Sequence, residues 1–430
     1  MPLMQAYPPY TITHIRLNEQ LAMPSLHFNG QGNYLVFWWR EMALGHLFLK
    51  PGKPLSVDAF HQKTIQAIAP ALRFYTQETP EMTSQLLQLF KQGAFALWAA
   101  AMASVFSVWH PDEIPGTVPV SVVICTRDRA ADLHSCLTRL SALQCQPHEI
   151  VVVDNAPTDD ASFRVVEQFA GVRYVKEPRG GLDIARNTGV TSAVCEVVAF
   201  CDDDVVVHPL WVYQVWQTFQ DPAVAAMTGL VLAAELQTEA QLIFEKHWSF
   251  NRGYTDKTYD SAYFKATLAK GPPVWEIGAG ANMAFRKSVL DAVGYFDELL
   301  DVGAAGCSGD SEMWYRILLH GHAIRYNPRA IVFHRHRQEL KALHRQLFSY
   351  MRGFTAAALT QQQHYQAANY RYRLLTSIPR YYFRLLCEGF PRYNFRFRTV
   401  GSEMRGIVSG LLYYQRNRGK VPYPKPGVQA

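Results

Sequence analysis

The regular alternation of strand and helix patterns between residues 118 and 201 constrains the fold of this 430-residue chain more than any other feature. Val118 to Cys125 is an apolar, largely β-branched run suited to a parallel strand covered on both faces. A helical pattern follows from Ala130 to Leu143, then a second apolar strand, Glu149 to Val153, that ends at Asp154-Asn155. A helix (Ser162 to Phe169), a short strand (Val172 to Val175), another helix (Leu182 to Ala193) and a fourth strand (Glu196 to Cys201) complete the series. This spacing predicts βαβ units, hence an α/β chain with a doubly wound, mostly parallel sheet. Ligands of such sheets sit at the carboxyl ends of the strands. Thr126-Arg127-Asp128, Asp154-Asn155 and Asp202-Asp203-Asp204 all fall at those ends.

The aspartate triplet is the most chemically loaded of the three clusters. Adjacent carboxylates beside a low-dielectric sheet repel one another at a cost of about 1 kcal/mol or more. A hard divalent cation carrying phosphates removes that cost, because Mg²⁺ or Mn²⁺ takes one or two carboxylates together with phosphate oxygens. The other reading is a solvated acidic turn or an N-cap for the next helix. In an extended chain Asp202 and Asp204 point to one side and Asp203 to the other. Farther on, Gly309-Asp310-Ser311-Glu312 forms a turn just before a helical run, Met313 to Leu319, where Asp310 could serve simply as an N-cap. Glu312 and Arg316 lie one helical turn apart and suit a structural ion pair.

The segments VSVVICTRDR, EIVVVDNAPTDD, EPRGGLDIARNTG and FCDDD are followed in order by GAGANMAFRKSVLDAVGYFDE, GDSEMWYRILLHG and YNPRAIVFHRHR. Together they resemble the family 2 glycosyltransferases of GT-A fold over about residues 118 to 337. The resemblance implies a nucleoside-diphosphate sugar as donor, UDP-sugar favoured, a glycan or lipid-linked acceptor hydroxyl, and Mg²⁺ or Mn²⁺. It puts Thr126 and Arg127 near the nucleotide. It makes Asp154 the acceptor of a hydrogen bond from the base, since a uracil edge offers one imide N–H to an acceptor-only side chain; a turn-forming Asp-Asn pair is the alternative. Gly180-Gly181 and Arg186-Asn187 would pass under the nucleoside, with Arg186 on a phosphate or the base, or else simply exposed on its helix.

By the same resemblance Asp204 is the main metal ligand, Asp202 assists it or contacts the ribose, and Asp203 addresses the donor sugar. Asp310 matches the catalytic base; many members carry Glu-Asp at this point, and this chain has Gly309 in place of the Glu. His334, or His336, would complete the metal shell or contact the diphosphate. GAGAN (Gly278 to Asn282) would line the donor-sugar and acceptor side and is no phosphate loop, because no Lys-Ser/Thr follows it. A base on the acceptor side implies single displacement with inversion. Two other readings stand beside this one. A sugar-nucleotide-forming nucleotidyltransferase shares a related sheet, but a glycine-rich loop usually follows its first strand, where this chain has Cys125-Thr126-Arg127-Asp128. A non-catalytic, membrane-associated scaffold of the same fold is the other.

Composition, 49% hydrophobic and 18% charged, excludes a disordered chain. Seven cysteines without a CxxC pair argue against a disulfide framework or structural zinc and favour a reducing, cytoplasmic setting. The start of the chain lacks a signal-peptide pattern, and Gly93 to Trp109 reads as a buried or surface-docked helix rather than a spanning one. The expected division is residues 1–115, short antiparallel strands and then helices; 116–337, the transferase domain; and 338–430, a helical, aromatic and basic region. From Arg337 onward there are 16 Lys and Arg against 3 acidic residues, which leaves the rest of the chain net acidic. Runs such as RYYFRLL and PRYNFRFR suit peripheral contact with the inner face of the plasma membrane. No nucleic-acid-binding motif accompanies them, and the alternative is that these helices pack on the catalytic domain with their arginines solvated.

Overall fold

The structure, a computed structural model, describes residues 7–52, 54–77, 79–110 and 113–419. The chain opens with a three-stranded sheet of β1 (Tyr10–Arg16), β2 (Gly32–Trp39) and β3 (Met42–Leu49), in that order. β2 and β3 form an antiparallel hairpin. β1, however, is parallel to β2, because residues 17–31 carry the chain back along the first strand before the second begins. Helices α1 (Val57–Tyr75), α2 (Pro80–Lys91) and α3 (Phe95–Phe106) cover this sheet around Phe37, Trp39, Phe60 and Trp98. α3 buries Trp98, Met102 and Phe106 and leaves Leu97 exposed, so it is a docked helix. Among the described residues no helix is long and apolar enough to cross a membrane. Pro111 and Asp112 of the connection that follows lie outside the described residues.

The central region runs β4 (Thr117–Thr126), α4 (Ala130–Ser141), β5 (Gln146–Asn155), α5 (Ala161–Val166), β6 (Val172–Glu177), α6 (Leu182–Ser192), β7 (Val197–Cys201), β8 (Val205–Val207) and α7 (Trp211–Thr218). It continues through β9 (Val224–Ala233), α8 (Glu239–His247), β10 (Lys257–Tyr259), α9 (Ser261–Thr267), β11 (Asn282–Arg286), α10 (Lys287–Val293), α11 (Gly309–Leu319), β12 (Ala323–His334) and α12 (Leu340–His364). The strands build one nine-stranded sheet in the order β10-β12-β9-β11-β7-β4-β5-β6, with β8 against β12. β4, β5, β6, β7, β9 and β12 share one direction, while β8, β10 and β11 oppose them. This is the mostly parallel α/β sheet that the alternating pattern predicts.

The β-branched run of β4 explains why both faces are covered. Val120, Val122 and Ile124 pack with Leu133 and Leu137 of α4 and Trp211 and Val212 of α7, whereas Val123 points the other way, toward Ala185 and Val190 of α6. α6 lies so close to β4 that a Cβ at Gly189 would overlap Val123 Cγ1. That approach sets the first turn of α6, with Asp183 and Arg186, over the carboxyl ends of the strands.

At the other side of the sheet, the register of β12 against β9 slips between Asn327 and Ile331. The buried Asn282 amide fills the irregularity, donating to the Leu230 and Ala330 carbonyls at 3.1 and 2.9 Å and accepting from Trp211 Nε1 at 2.9 Å. Beyond α12, helical segments Ile378–Gly389 and Val400–Asn417 complete the described chain, and Gly406 and Gly410 bring the latter against backbone carbonyls of α12. The C-terminal region thus packs on the sheet-bearing part, and not all its arginines are solvated: Arg396 is buried against Glu403 at 2.6 Å.

Candidate active site

A cleft of about 900 Å³ opens at the carboxyl ends of β4 and β7. In the aspartate triplet Asp203 turns inward, accepting from the Thr126 hydroxyl at 2.7 Å and from Arg129 Nη1 at 2.9 Å. Arg129 also donates to Asp204 at 3.0 Å. The three aspartates stand in a turn rather than an extended strand, so Asp204 shares Arg129 with Asp203, while Asp202 and Asp204 meet His334, which ends β12; His334 Nε2 is 4.0 Å from Asp204 Oδ1. One ligand atom from each of the three lies within 4.8 Å of the others. Burial, and then the charge of Asp204, push Asp202 up to about 7. Burial, and then His336, push His334 down to about 4, so its imidazole is neutral at ordinary pH. Two carboxylates and one neutral imidazole fit Mg²⁺ or Mn²⁺ and leave coordination positions for phosphate oxygens.

A second acidic group stands beside the same cleft, with Asp301 from the loop before α11 and Asp310 from the first turn of α11 bordering it and Asp183 of α6 buried behind them. Arg186 Nη1 donates to Asp183 at 2.8 Å and to Asp301 at 2.6 Å. Its guanidinium passes beside Gly280, where a Cβ would stand 2.8 Å from Nη2. Asp310 Oδ2 accepts from the Gly280 amide at 2.8 Å and Oδ1 from the Ser311 amide at 2.6 Å. Burial and the neighbouring Asp301 raise the Asp310 carboxyl above the ordinary carboxylate range, against the pull of Arg186. The glycine before it has a local cause: a Cβ on Gly309 would collide with Asp183 Oδ2. Asp183 therefore occupies the space that any side chain at position 309 would need. Glu312 and Arg316 form a fully buried pair at 2.8 Å, and Arg316 also caps the Val293, Gly294 and Tyr295 carbonyls, which makes the pair structural.

Thr126, Arg127, Gly181, Arg186, Asp202, Asp203, Asp204, Asp310 and His334 all border the cleft, but several do so differently from the expectation. Both oxygens of Asp203 are engaged by Thr126 and Arg129, which makes it a support for the strand ends rather than a free donor-sugar contact. Arg186 is a buried partner of two aspartates, not an exposed helix residue. Asn187 does not reach the cleft, because its amide is spent on both backbone groups of Phe296 at 2.8 and 3.0 Å. Asp154 is fully buried behind the cleft; Oδ2 accepts from Tyr174 at 2.9 Å, and Oδ1 has no hydrogen-bond partner. Gly181 gives room less to a ligand than to the loop before α11, where a Cβ on Gly303 would stand 2.9 Å from Gly181 Cα.

Arg129, Asn155, Asp183 and Asp301 join the site without a role that their sequence pattern assigns. The first stands in the quoted TRDR run and the second beside Asp154, where its side chain joins the Arg179 carbonyl to the Gly181 amide at 2.7 and 2.8 Å. Asp301 carries no signal in the sequence; its positive φ of 57° appears only in the fold. The far wall of the cleft comes from the C-terminal region: Tyr350 and Phe354 of α12, then Tyr370, Ile378, Tyr381 and Tyr382.

Residues 121–294 match the sequence model of Glycosyl transferase family 2. This part of the chain is similar to glycosyltransferase family 2. The pre-mycofactocin glycosyltransferase of Mycobacterium tuberculosis is 27% identical over 237 residues, covering 54% of this chain and 46% of that protein. The hyaluronan synthase of Pasteurella multocida is 24% identical over 232 residues, 47% of this chain and 23% of that one. The chain thus spans less than half the length of these two relatives. Among solved structures, a mannosyltransferase from Pyrobaculum calidifontis in complex with GDP-Man and Mn²⁺ is 17% identical with a TM-score of 0.46, covering 80% of this chain and 97% of that chain. The family match ends at Gly294, so Asp310 and His334 of the family 2 reading lie beyond it.

Because Asp202 binds its proton more tightly folded than unfolded, its contribution to stability is complete at acid pH and is lost as the pH rises through about 7. The metal-free protein is expected to melt progressively lower between about pH 4 and pH 7, and Asp202→Asn to flatten that slope. Mn²⁺ competes with the same proton, so it should raise the wild-type melting temperature more at the higher pH than at the lower. Differential scanning calorimetry at the two pH values checks both outcomes, and an equal Mn²⁺ effect at both contradicts the assignment.

Proposed function

We propose that the protein is a metal-dependent, inverting glycosyltransferase that moves a sugar from a nucleoside-diphosphate sugar to an acceptor hydroxyl, in polysaccharide or glycolipid synthesis. One observation carries this reading: a partly buried carboxylate, Asp310, opens on the same cleft as Asp202, Asp204 and His334 but comes from a different element. When bound by those three, a divalent cation supplies charge stabilisation to the departing diphosphate. Asp310, held by two backbone amides and made more basic by burial, takes the proton of the acceptor hydroxyl as it attacks. Arg186 keeps the Asp301 end of the neighbouring loop in place while the proton moves. A UDP-sugar is the favoured donor; its uracil would reach the buried, unpartnered Oδ1 of Asp154 with its single imide N–H only where the cover over Asp154 moves aside. The half-exposed Arg127 is free to turn to the nucleotide.

The acceptor side follows from the aromatic wall of the cleft and from what continues outside it. Leu375, Phe383 and Phe390 are 77%, 70% and 73% exposed and stand among Arg371, Arg380, Arg384 and Arg392. That mixture suits the anionic, cytoplasmic surface of a membrane, and a lipid-linked acceptor or growing glycan held there.

Two experiments test this reading. With a panel of sugar nucleotides and Mn²⁺, Asp310→Asn is expected to lower kcat by about 10²- to 10⁴-fold while leaving donor binding, measured by titration calorimetry, within about twofold of wild type. Full transfer by that variant would sink the base assignment, and release of pyrophosphate instead of a nucleoside diphosphate would sink the transferase reading. In co-sedimentation, the protein should pellet with vesicles rich in phosphatidylserine and not with pure phosphatidylcholine, and Phe383→Asp with Leu375→Asp should abolish pelleting. Equal behaviour with both vesicle types would remove the membrane from the account.

A further inference from the structure

We propose that Arg252 and Arg373, which converge on Trp275 at the cleft, form a subsite for a phosphate group on the acceptor. The hydroxyl to be glycosylated then belongs to a sugar phosphate, free or lipid-borne, and not to a neutral glycan. This assignment rests on the transferase reading above and names the acceptor of that same cleft. Arg252 lies between α8 and β10, and Arg373 opens the helical turn Arg373–Ser377 that leads into Ile378–Gly389. Both line the cleft together with Trp275. Arg252 Nη2 donates to the Trp275 carbonyl at 2.9 Å, and the Arg373 guanidinium lies over the Trp275 ring, 4.7 Å from its centroid.

What sets these two apart is the lack of a counter-charge. Arg129, Arg186, Arg329 and Arg396 each hold a carboxylate at 2.9 Å or less, and those carboxylates raise them. Arg252 donates only to carbonyls, those of Ser249 and Trp275, and its Nε has no partner. Arg373 donates to the Lys270 and Gly271 carbonyls through Nε and Nη2. Neither is ion-paired among the described residues, and burial lowers both where the paired arginines are raised. Lys257, which donates to the Arg252 carbonyl, adds a cation beside them, and the exposed Glu276 is the acid whose charge reaches all three. Two guanidiniums on one indole fit the three oxygens of a phosphate, whereas a lone carboxylate is matched by a single guanidinium. The position suits the acceptor rather than the donor. Trp275 comes five residues before Gly280, whose amide holds Asp310, and the Asp310 charge reaches Arg252. The metal side has its own arginines, Arg129 on Asp204 and Arg337, whose charge reaches His334. Arg373 stands two residues from the exposed Leu375, so a phosphate held here lies at the edge of the apolar surface of the C-terminal region.

Titration calorimetry on the full chain, with UDP and Mn²⁺ present, compares two pairs of probes: glucose 1-phosphate with glucose, and decyl glucosyl phosphate with decyl glucoside. In each pair the phosphate is expected to bind about tenfold tighter than its uncharged counterpart, or more. Arg252→Gln and Arg373→Gln should each erase most of that preference while UDP binding with Mn²⁺ stays within about twofold of wild type. Arg373→Lys, which keeps the charge and loses the planar fork, should retain part of it. If Arg252→Gln, which frees two carbonyls, fails to fold, the two Arg373 variants decide. A larger phosphate preference in the decyl pair than in the soluble pair identifies a lipid-borne acceptor, and an equal preference a free one. Equal binding of charged and uncharged probes overturns the proposal. So does a loss of UDP affinity in the variants with the phosphate preference intact, which would give these arginines to the donor. The transferase reading fails separately: it falls if the wild type does not bind UDP with Mn²⁺, whatever the sugar phosphates do.

Discussion

Carboxylates crowded against the carboxyl edge of one sheet, with few guanidiniums to balance them, set the terms for everything around the cleft. Asp202, Asp203 and Asp204 come from the end of β7, Asp183 from α6, Asp301 and Asp310 from the loop before α11 and its first turn. The guanidiniums that contact them are Arg129 and Arg186. Burial raises Asp183, Asp202, Asp203 and Asp310 alike, the expected response of charges taken out of water without full compensation. The packing shows what such crowding requires. Gly309 leaves room for the Asp183 carboxylate, Gly280 lies against Arg186 and Asp310, and Gly189 lets α6 sink onto β4. The negative charge left over on Asp202 and Asp204 is what a divalent cation would complete, with His334 as a neutral third partner.

The parts of the fold that could be read from sequence are those whose signal is local. The β-branched runs of β4, β5 and β7 and the helices between them end within a few residues of the expected positions, because strands buried on both faces need continuous apolar side chains. The antiparallel members of the sheet carry no comparable signal. β8 and β10 are three residues each, and β11 is recognisable only as a strand after a glycine-rich turn; its insertion between β7 and β9 is a tertiary decision. The parallel pairing of β1 with β2 depends in the same way on the path of residues 17–31.

Site residues divide along the same line. Strand-end position was legible for Thr126, Asp154 and the aspartate triplet, whereas side-chain partners were not. Arg127 and Arg129 differ by two residues, yet Arg129 holds the triplet and Arg127 is half exposed. Arg186 and Asn187 are neighbours on α6, and helical geometry sends the first to the cleft and the second to Phe296. The wall contributed by α12 and Ile378–Gly389 could not be foreseen, since basic, aromatic helices read alike whether they face lipid or a ligand. The structure gives them both surfaces at once: Tyr381 and Tyr382 border the cleft while Phe383 is exposed. The N-terminal sheet, which bears no catalytic pattern of its own, reaches the strand ends through Tyr34 and Glu245.

The central claim is that Asp202, Asp204 and His334 jointly hold a divalent cation that faces a nucleoside diphosphate. Anomalous scattering from crystals of the protein soaked with Mn²⁺ and UDP tests it most directly. The account predicts one strong anomalous peak within ligand distance of all three side chains, with diphosphate oxygens completing its shell. A peak elsewhere in the cleft, or UDP bound in order with no Mn²⁺ beside these residues, would contradict it.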